Sequence, residues 1–351
     1  MRTLVVATAT TPAHVEDEIR AAGHHRLDYM ELSTRLGTEY IDYNRVRNGK
    51  SLRWVEEKLR MDIRQAMQAA HAVRQRRYEA VISLSERVGI PLGYMLGRHI
   101  KHAVIMHHPL SPSKIRLMRM LKLHRRWDMV IAISRAEAEA LQKALGLEPD
   151  HVAVLNTPVD TKFYRPPEEA ASEGEQDRIQ SIGLSYRDYP TLIRAMRMLP
   201  HIPCHIRIGS SWVQNDASFE NEALPDNVHI EPFVHPSVLR KCYTKGRFAV
   251  VPIRQSTQWS AGCTSVQQAQ AMGKAVIATR MPGLSDYVLD GETGMLVEGG
   301  NPKALAEAID YLWQNPEKAS AMGRRGREWV DANFSLEQWV DDFAHLLGKL
   351  N

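Results

Sequence analysis

The sequence predicts an α/β protein built from two doubly wound domains, and three observations carry that expectation. The chain has 351 residues, more than one ordinary core organises. Short β-branched runs alternate with amphipathic stretches along most of its length. One segment near the middle, Pro166–Asp177 (PPEEAASEGEQD), breaks the alternation. It is rich in Pro, Glu, Ser and Gly, carries no large apolar residue, and reads as a linker.

In chain order, Thr3–Thr8 (TLVVAT), Glu79–Ser85 (EAVISLS), His102–His108 (HAVIMHH) and Asp128–Ser134 (DMVIAIS) are apolar on both faces. Strands buried in a parallel sheet have that pattern. Helical patterns lie between them, the longest running from about Ser51 to Arg77. After the linker the strands are RIQSIGLS from Arg178, CHIRIGSS from Cys204, NVHIEPF from Asn227, RFAVVPI from Arg247 and KAVIAT from Lys274. Helices around Pro190–Met198, Pro236–Thr244 and Ser265–Met272 separate them. The end is helical over Pro302–Gln314, Pro316–Asn333 and Leu336–Leu350, with Asn315-Pro316 and Ser335 as start signals. The expected layout is a first domain over 1–165, a linker over 166–177, a second domain over 178–335 and a closing helix over 336–351.

An apolar content of 44% and a charged content of 25% are those of a globular chain. No apolar run approaches the roughly 20 residues of a membrane span. The opening MRTLVVATATTPAH has too short an apolar run for a signal peptide, so a cytoplasmic protein is expected. Cys204, Cys242 and Cys263 are scattered and odd in number, which fits small buried side chains in a reducing compartment and gives no zinc spacing. The net charge of +4 hides an asymmetry. Residues 1–165 carry 27 Lys+Arg against 18 Asp+Glu, and the remainder carries 18 against 23. A basic first half suggests an anionic partner there.

In doubly wound sheets ligands bind beyond the carboxyl ends of the strands, so the loops after the strands hold the candidate chemistry. There is no Walker loop, no HExxH pair, and no clean G-x-G-x-x-G after the first strand. Ile182–Pro190 (IGLSYRDYP) combines Gly183, which permits close backbone approach, with Arg187, which can clamp a phosphate; read alone it is equally a turn with a solvated arginine. Gln255–Gln268 (QSTQWSAGCTSVQQ) offers a helix start of small residues for an anion, or simply a capped helix with polar flanks. Val104–Pro112 (VIMHHPLSP) ends a strand on His107 and His108, suited to a substrate oxygen or to a structural role. Ser113–Arg126 (SKIRLMRMLKLHRR) interleaves six cations with apolar residues, as a helix on an anionic bilayer does, or one packed by its apolar stripe. No aromatic platform accompanies those cations, so nucleic acid is not expected.

Together these segments resemble the retaining nucleotide-sugar glycosyltransferases of family 4, which have the GT-B fold of two Rossmann-like domains facing a cleft. The similarity is carried by Ala271–Ile309 (AMGKAVIATRMPGLSDYVLDGETGMLVEGGNPKALAEAI), matching a family run of strand, glycine turn, short hairpin and helix. Leu224–Pro252, Val154–Pro166 and Val130–Leu141 resemble the base-pocket segment, the interdomain junction and the strand and helix before it. The resemblance implies that the second domain binds the donor, that the first binds the acceptor, and that the last helix crosses back to the first domain. The family's E-x7-E pair falls on Ser260 and Gln268, so neither carboxylate is present. The place of the diphosphate-binding arginine holds Leu184, and Arg187 takes that of the lysine.

His107 fits the histidine that approaches the donor sugar, and with Arg187 forms the expected catalytic set. Gly183, Phe233, Val234, Ser260, Gly262, Cys263, Thr264, Ser265 and Gln268 are expected around the donor. Asp286 lies near the glutamate after the glycine turn, and Gln258 or the Cys263–Thr264 backbone are the nearest candidates to hold the sugar in place of Ser260. His108, Ser85 and Glu86 are acceptor-side candidates. In such enzymes the departing diphosphate takes the acceptor's proton, so no metal and no cofactor is implied. The expected function is therefore retaining transfer of a sugar from a nucleotide-sugar donor to a lipid-linked or phosphorylated acceptor, with peripheral attachment to the membrane through Ser113–Arg126. The alternative is a catalytically silent homologue that binds a nucleotide sugar or partners an active transferase.

Overall fold

The computed structural model describes residues 1–46, 52–167, 176–209 and 223–350. The β-branched runs form two sheets. The first holds β1 (Thr3–Val6), β2 (Glu39–Ile41), β3 (Ala80–Ser83), β4 (Lys101–Met106), β5 (Met129–Ala132) and β6 (Val152–Val154). Their order is β2-β1-β3-β4-β5-β6, all parallel. The second holds β7 (Arg178–Ile182), β8 (Cys204–Ile208), β9 (Val228–Pro232), β10 (Gly246–Val251), β11 (Val276–Thr279) and β12 (Gly294–Val297). Its order is β12-β11-β10-β7-β8-β9, again all parallel. Counted within its own sheet this is 3-2-1-4-5-6, the dinucleotide-fold order, and the direction of winding reverses between β7 and β10.

The chain divides into two compact units. One comprises Met1–Arg20, Arg26–Asn156 and Trp339–Asn351; the other comprises Ala21–His25 and Thr157–Gln338. Most of the linker expected at 166–177 falls in 168–175, outside the described residues.

Why the strands are apolar on both faces is plain in the second sheet. Phe248 and Val250 of β10 pack with Ile277, Leu305 and Ile309 on one side, while Ala249 and Val251 pack with Ala278, Tyr287 and Val330 on the other. Side chains alternate across a strand, so a sheet covered by helices on both sides needs apolar residues at every position. Each valine, leucine, isoleucine or phenylalanine so buried stabilises the fold by about 1.5–3 kcal/mol.

Three segments differ from the sequence expectation. The helix expected from Ser51 to Arg77 is two helices, Arg53–Leu59 and Ile63–Arg76, because Arg60 takes a left-handed conformation (φ 51°) that ends the first; Ser51 lies outside the described residues. Ser113–Arg126 is likewise broken: an α-helix over Pro112–Met120 stops before Lys122 (φ 49°), and a single 3₁₀ turn follows at Leu123–Arg125. The short hairpin implied after the glycine turn is absent, since β12 pairs with β11 in parallel. The sequence reading also missed β2 and β6, edge strands too short to show periodicity.

One buried polar pair in the first sheet makes stability depend on pH. His102 of β4 is 1% exposed and its Nε2 lies 2.9 Å from Ser83 Oγ. Burial pushes its pKa down to about 3, so the folded state holds the ring neutral. Below about pH 6.5 the unfolded chain takes up a proton that the folded one refuses, so stability falls as the pH drops. Urea melts at pH 7 and pH 5 are expected to differ by about 2 kcal/mol from this residue, and a His102→Gln variant to lose that part of the difference.

Candidate functional site

The second unit places its polar loops at the reversal point of its sheet. β7 ends on Ile182, and Gly183 follows with φ 129°, a conformation glycine adopts readily. Tyr186 is also left-handed (φ 58°), and its carbonyl accepts the Arg254 N–H at 2.9 Å. Asp188 N–H donates to Pro252 O at 3.0 Å, so the loop after β7 is laced to the loop after β10. Asp188 then caps the helix Tyr189–Arg197 by accepting the Thr191 N–H.

Arg187 sits in the centre of this arrangement and is 5% exposed. Its Nε and Nη2 donate to Ile182 O at 3.3 and 3.1 Å, Nη1 donates to Ser185 O at 3.1 Å, and Nη2 donates to Ser265 Oγ at 2.7 Å. Ser265 in turn donates to Ile182 O at 3.0 Å. The guanidinium fills the space that a side chain at Gly183 would need, since a Cβ there would lie 2.3 Å from Nη2; at Gly262 the space is taken by Ile253 and Val251, 2.8 and 2.9 Å from such a Cβ, with Nη1 in contact at 3.4 Å. Burial lowers the pKa of the guanidinium, against the opposing pull of the tyrosines beside it. The sequence predicts an arginine presented to a phosphate; in the structure most of its N–H donors are engaged by its own loop and by Ser265.

The helix start lies against this arginine. Gly262 (φ 87°) precedes the helix Cys263–Ala271, whose first-turn N–H groups have no partner within the helix. Cys263 is buried, with Sγ 3.6 Å from Thr157 Oγ1, whereas Thr264 is exposed. Gln268 is held by two tyrosines: its Oε1 accepts from Tyr243 OH at 3.4 Å, and its Nε2 donates to Tyr164 OH at 3.1 Å. Neither tyrosine was singled out from the sequence, because nothing local links Tyr164 or Tyr243 to residue 268. Gln267 and Gln270 are fully buried; Nε2 of the first donates to Thr157 O, and that of the second to Thr293 Oγ1 at 3.1 Å.

Ser260 is 2% exposed and packs on the turn at Gly283, where a Cβ would come 2.4 Å from its Oγ. The Gln258 N–H donates to Ser256 Oγ at 3.1 Å. Phe233 is exposed and stands over Gly209, and Val234 is half-buried against the core. Asp286 closes the 3₁₀ turn Pro282–Asp286 and is half-buried.

The first unit gathers its candidates after β3 and β4. Ser85 caps the helix Glu86–Met95 by accepting the Arg87 N–H at 3.1 Å. Glu86, 2% exposed, accepts the His107 N–H at 3.0 Å and pairs with Lys114 at 2.5 Å. Burial alone would raise its pKa, but Lys114 and His107 outweigh that and hold the carboxyl below its usual range. His107 is exposed, with Nε2 2.9 Å from Leu84 O. His108 is half-buried, and burial followed by Lys114 pushes its pKa down. Lys114, read from the sequence as one of a row of surface cations, is turned inward. Met118 and Leu123 are fully buried beside it, and Arg126 lies over the Tyr94 ring at 4.5 Å. Among the described residues no helix is long and apolar enough to cross a membrane.

Comparison with known proteins accords with this geometry. Residues 13–163 match the model of Glycosyltransferase Family 4, and residues 184–329 match that of Glycosyl transferases group 1. The D-inositol 3-phosphate glycosyltransferase of Segniliparus rotundus is 26% identical over 277 residues, covering 74% of this chain and 61% of the relative. The chain thus spans about three fifths of the length of the curated relatives it matches. Among solved structures, sucrose-phosphate synthase from Thermosynechococcus elongatus superposes with a TM-score of 0.77 at 18% identity, covering 99% of this chain and 98% of that one. Anabaena HepE in complex with UDP-glucose gives 0.75 at 14% identity, covering 99% of both. The two parallel sheets, the reversal of winding between β7 and β10 and the two matched segments agree: the chain belongs to the family 4 glycosyltransferases and has their GT-B fold.

Proposed function

We propose that this protein is a retaining glycosyltransferase that moves a sugar from a nucleotide-sugar donor to a phosphorylated or lipid-linked acceptor without a metal ion. The observation that carries the reading is the meeting of Gly183, Arg187 and the helix start at Gly262–Ser265 beyond β7 and β10. The first-turn N–H groups and the positive end of a helix stabilise a diphosphate, and a buried guanidinium beside them adds a fixed positive field. Such groups stabilise the charge of a departing diphosphate most in the transition state, where that charge develops. The departing group then takes the acceptor's proton on the same face of the sugar.

A uridine donor is supported by the HepE complexes with UDP and UDP-glucose. A phosphorylated acceptor is supported by the relatives named for D-inositol 3-phosphate and by the basic first half of the chain. The exposed cations Arg116, Arg119, Lys122, Arg125 and Arg126 are those left to meet an anionic membrane, with the protein otherwise cytoplasmic. Pelleting with phosphatidylserine-containing vesicles tests that part, and binding equal to that on neutral vesicles rejects it.

The second reading, a silent binder of nucleotide sugars, is favoured by Ser260 and Gln268, which supply no carboxylate. A screen of UDP-, GDP- and ADP-sugars against inositol phosphates, with and without chelator, separates the two. Turnover that survives chelator and keeps the anomeric configuration is expected. Nucleotide-sugar binding without turnover on any pair supports the silent binder.

A further inference from the structure

We propose that Glu86 and Lys114 act as a pair of positioning residues for transfer, fixing the His107–His108 turn by one hydrogen bond each. This rests on the reading that His107 addresses the donor sugar. Glu86 Oε2 accepts the His107 N–H at 3.0 Å, and Lys114 Nζ donates to the His108 carbonyl at 3.1 Å. The pair itself is closed at 2.5 Å, with side chains 3% and 19% exposed. A third bond ties the ring: His107 Nε2 lies 2.9 Å from Leu84 O.

That last contact fixes the tautomer. A carbonyl can only accept, so Nε2 carries the hydrogen and Nδ1 keeps its lone pair in the neutral ring. The end of β4 is thus tied to the β3–helix junction through the backbone of residue 107, its imidazole and the backbone of residue 108. Glu86, with its side chain 3% exposed, is too buried to meet an acceptor directly.

A purely structural role does not account for the pair. Desolvation makes a buried ion pair no better for stability than a well-packed apolar pair of similar volume. Here each charge makes one further hydrogen bond, and both of these go to the two histidines' main chain. Glu86 is also the first residue of its helix, where the helix field favours a carboxylate. Lys114 belongs to the segment whose cations suggested a membrane face, and this pairing removes it from that set.

The test uses the full chain. Removing one charge alone leaves the other buried and unpaired, and a glutamine at 86 would still accept the His107 N–H, so the informative variant is Glu86→Leu with Lys114→Met together, beside Lys114→Arg. For the double variant kcat is expected to fall at least about tenfold, with donor KM and UDP affinity within about twofold of the parent. Lys114→Arg, which keeps the charge, is expected to recover a third or more of kcat. Hydrogen exchange at the His107 amide is read alongside: strong protection in the parent, lost about tenfold in the double variant, with the amides of β4 unchanged. A double variant with parental kcat overturns the proposal, as does an unprotected His107 amide in the parent. If the parent itself turns over no donor, the transferase reading fails while the exchange measurement still decides the tether.

Discussion

Arg187→Ala is expected to lower kcat/KM for donor turnover about a hundredfold or more and to weaken the second unit by about 2–4 kcal/mol. Both effects have one origin. The guanidinium holds Ile182 O, Ser185 O and Ser265 Oγ, and so joins the end of β7 to the start of the helix Cys263–Ala271. Without it Ser265 still reaches Ile182 O, but the notch beside Gly183 and Gly262 is left empty and the positive field is gone. Arg187→Lys keeps a charge on a single nitrogen, which cannot hold three oxygens set around a planar fork. It is therefore expected to fall between the parent and alanine in turnover while losing most of the stability. Arg187→Met fills the notch without charge: it should recover part of the melting temperature and none of the turnover. Calorimetric melts and steady-state rates on the three variants check this, and a Met variant as active as Lys would show that the charge contributes nothing.

Much of this was legible in the sequence, and what was not has identifiable causes. Strands buried on both faces announce themselves, as β3, β4, β10 and β11 did, because every residue must be apolar. Very short edge strands do not, which is why β2 and β6, three residues each, went unseen while the five-residue edge strand β9 was read. Breaks within amphipathic segments were hidden because Arg60 and Lys122 adopt positive φ without the glycine that usually marks such a turn. The site candidates were proposed from position and from the family resemblance together: Gly183, Arg187 and His107 lie in the loops after β7 and β4, and Gln268 in the helix that follows β10. Their partners were not found, since Tyr164 and Tyr243 are more than twenty residues from Gln268 and meet it only through the fold. The direction in which a long side chain turns is equally invisible. Lys114 and Arg187 both read as exposed cations, and both face inward because a carboxylate or a set of carbonyls is waiting there.

The two positions where family carboxylates are missing should respond in opposite ways to their return. Ser260→Glu is expected to destabilise the protein by about 3 kcal/mol or more. Ser260 is 2% exposed, and the turn at Gly283 is so close that a single added carbon there would meet Ser260 Oγ at 2.4 Å and its nitrogen at 2.8 Å. A longer, charged side chain must either displace that turn or bury its charge, and each is costly. Gln268→Glu is expected to be tolerated within about 1 kcal/mol, because its neighbours are hydroxyls. Tyr243 OH already donates to residue 268, and Tyr164 OH, now an acceptor, can turn its hydrogen to donate instead. If residue 268 addresses the ribose, a carboxylate there accepts hydroxyls more strongly than an amide, and donor KM should drop about three- to tenfold. Melting temperature and donor KM for both single variants and the double decide the matter. A stable Ser260→Glu protein with raised turnover would show that the packing at Gly283 can yield. A Gln268→Glu protein with unchanged KM would place the ribose elsewhere and leave residue 268 as a brace between two tyrosines.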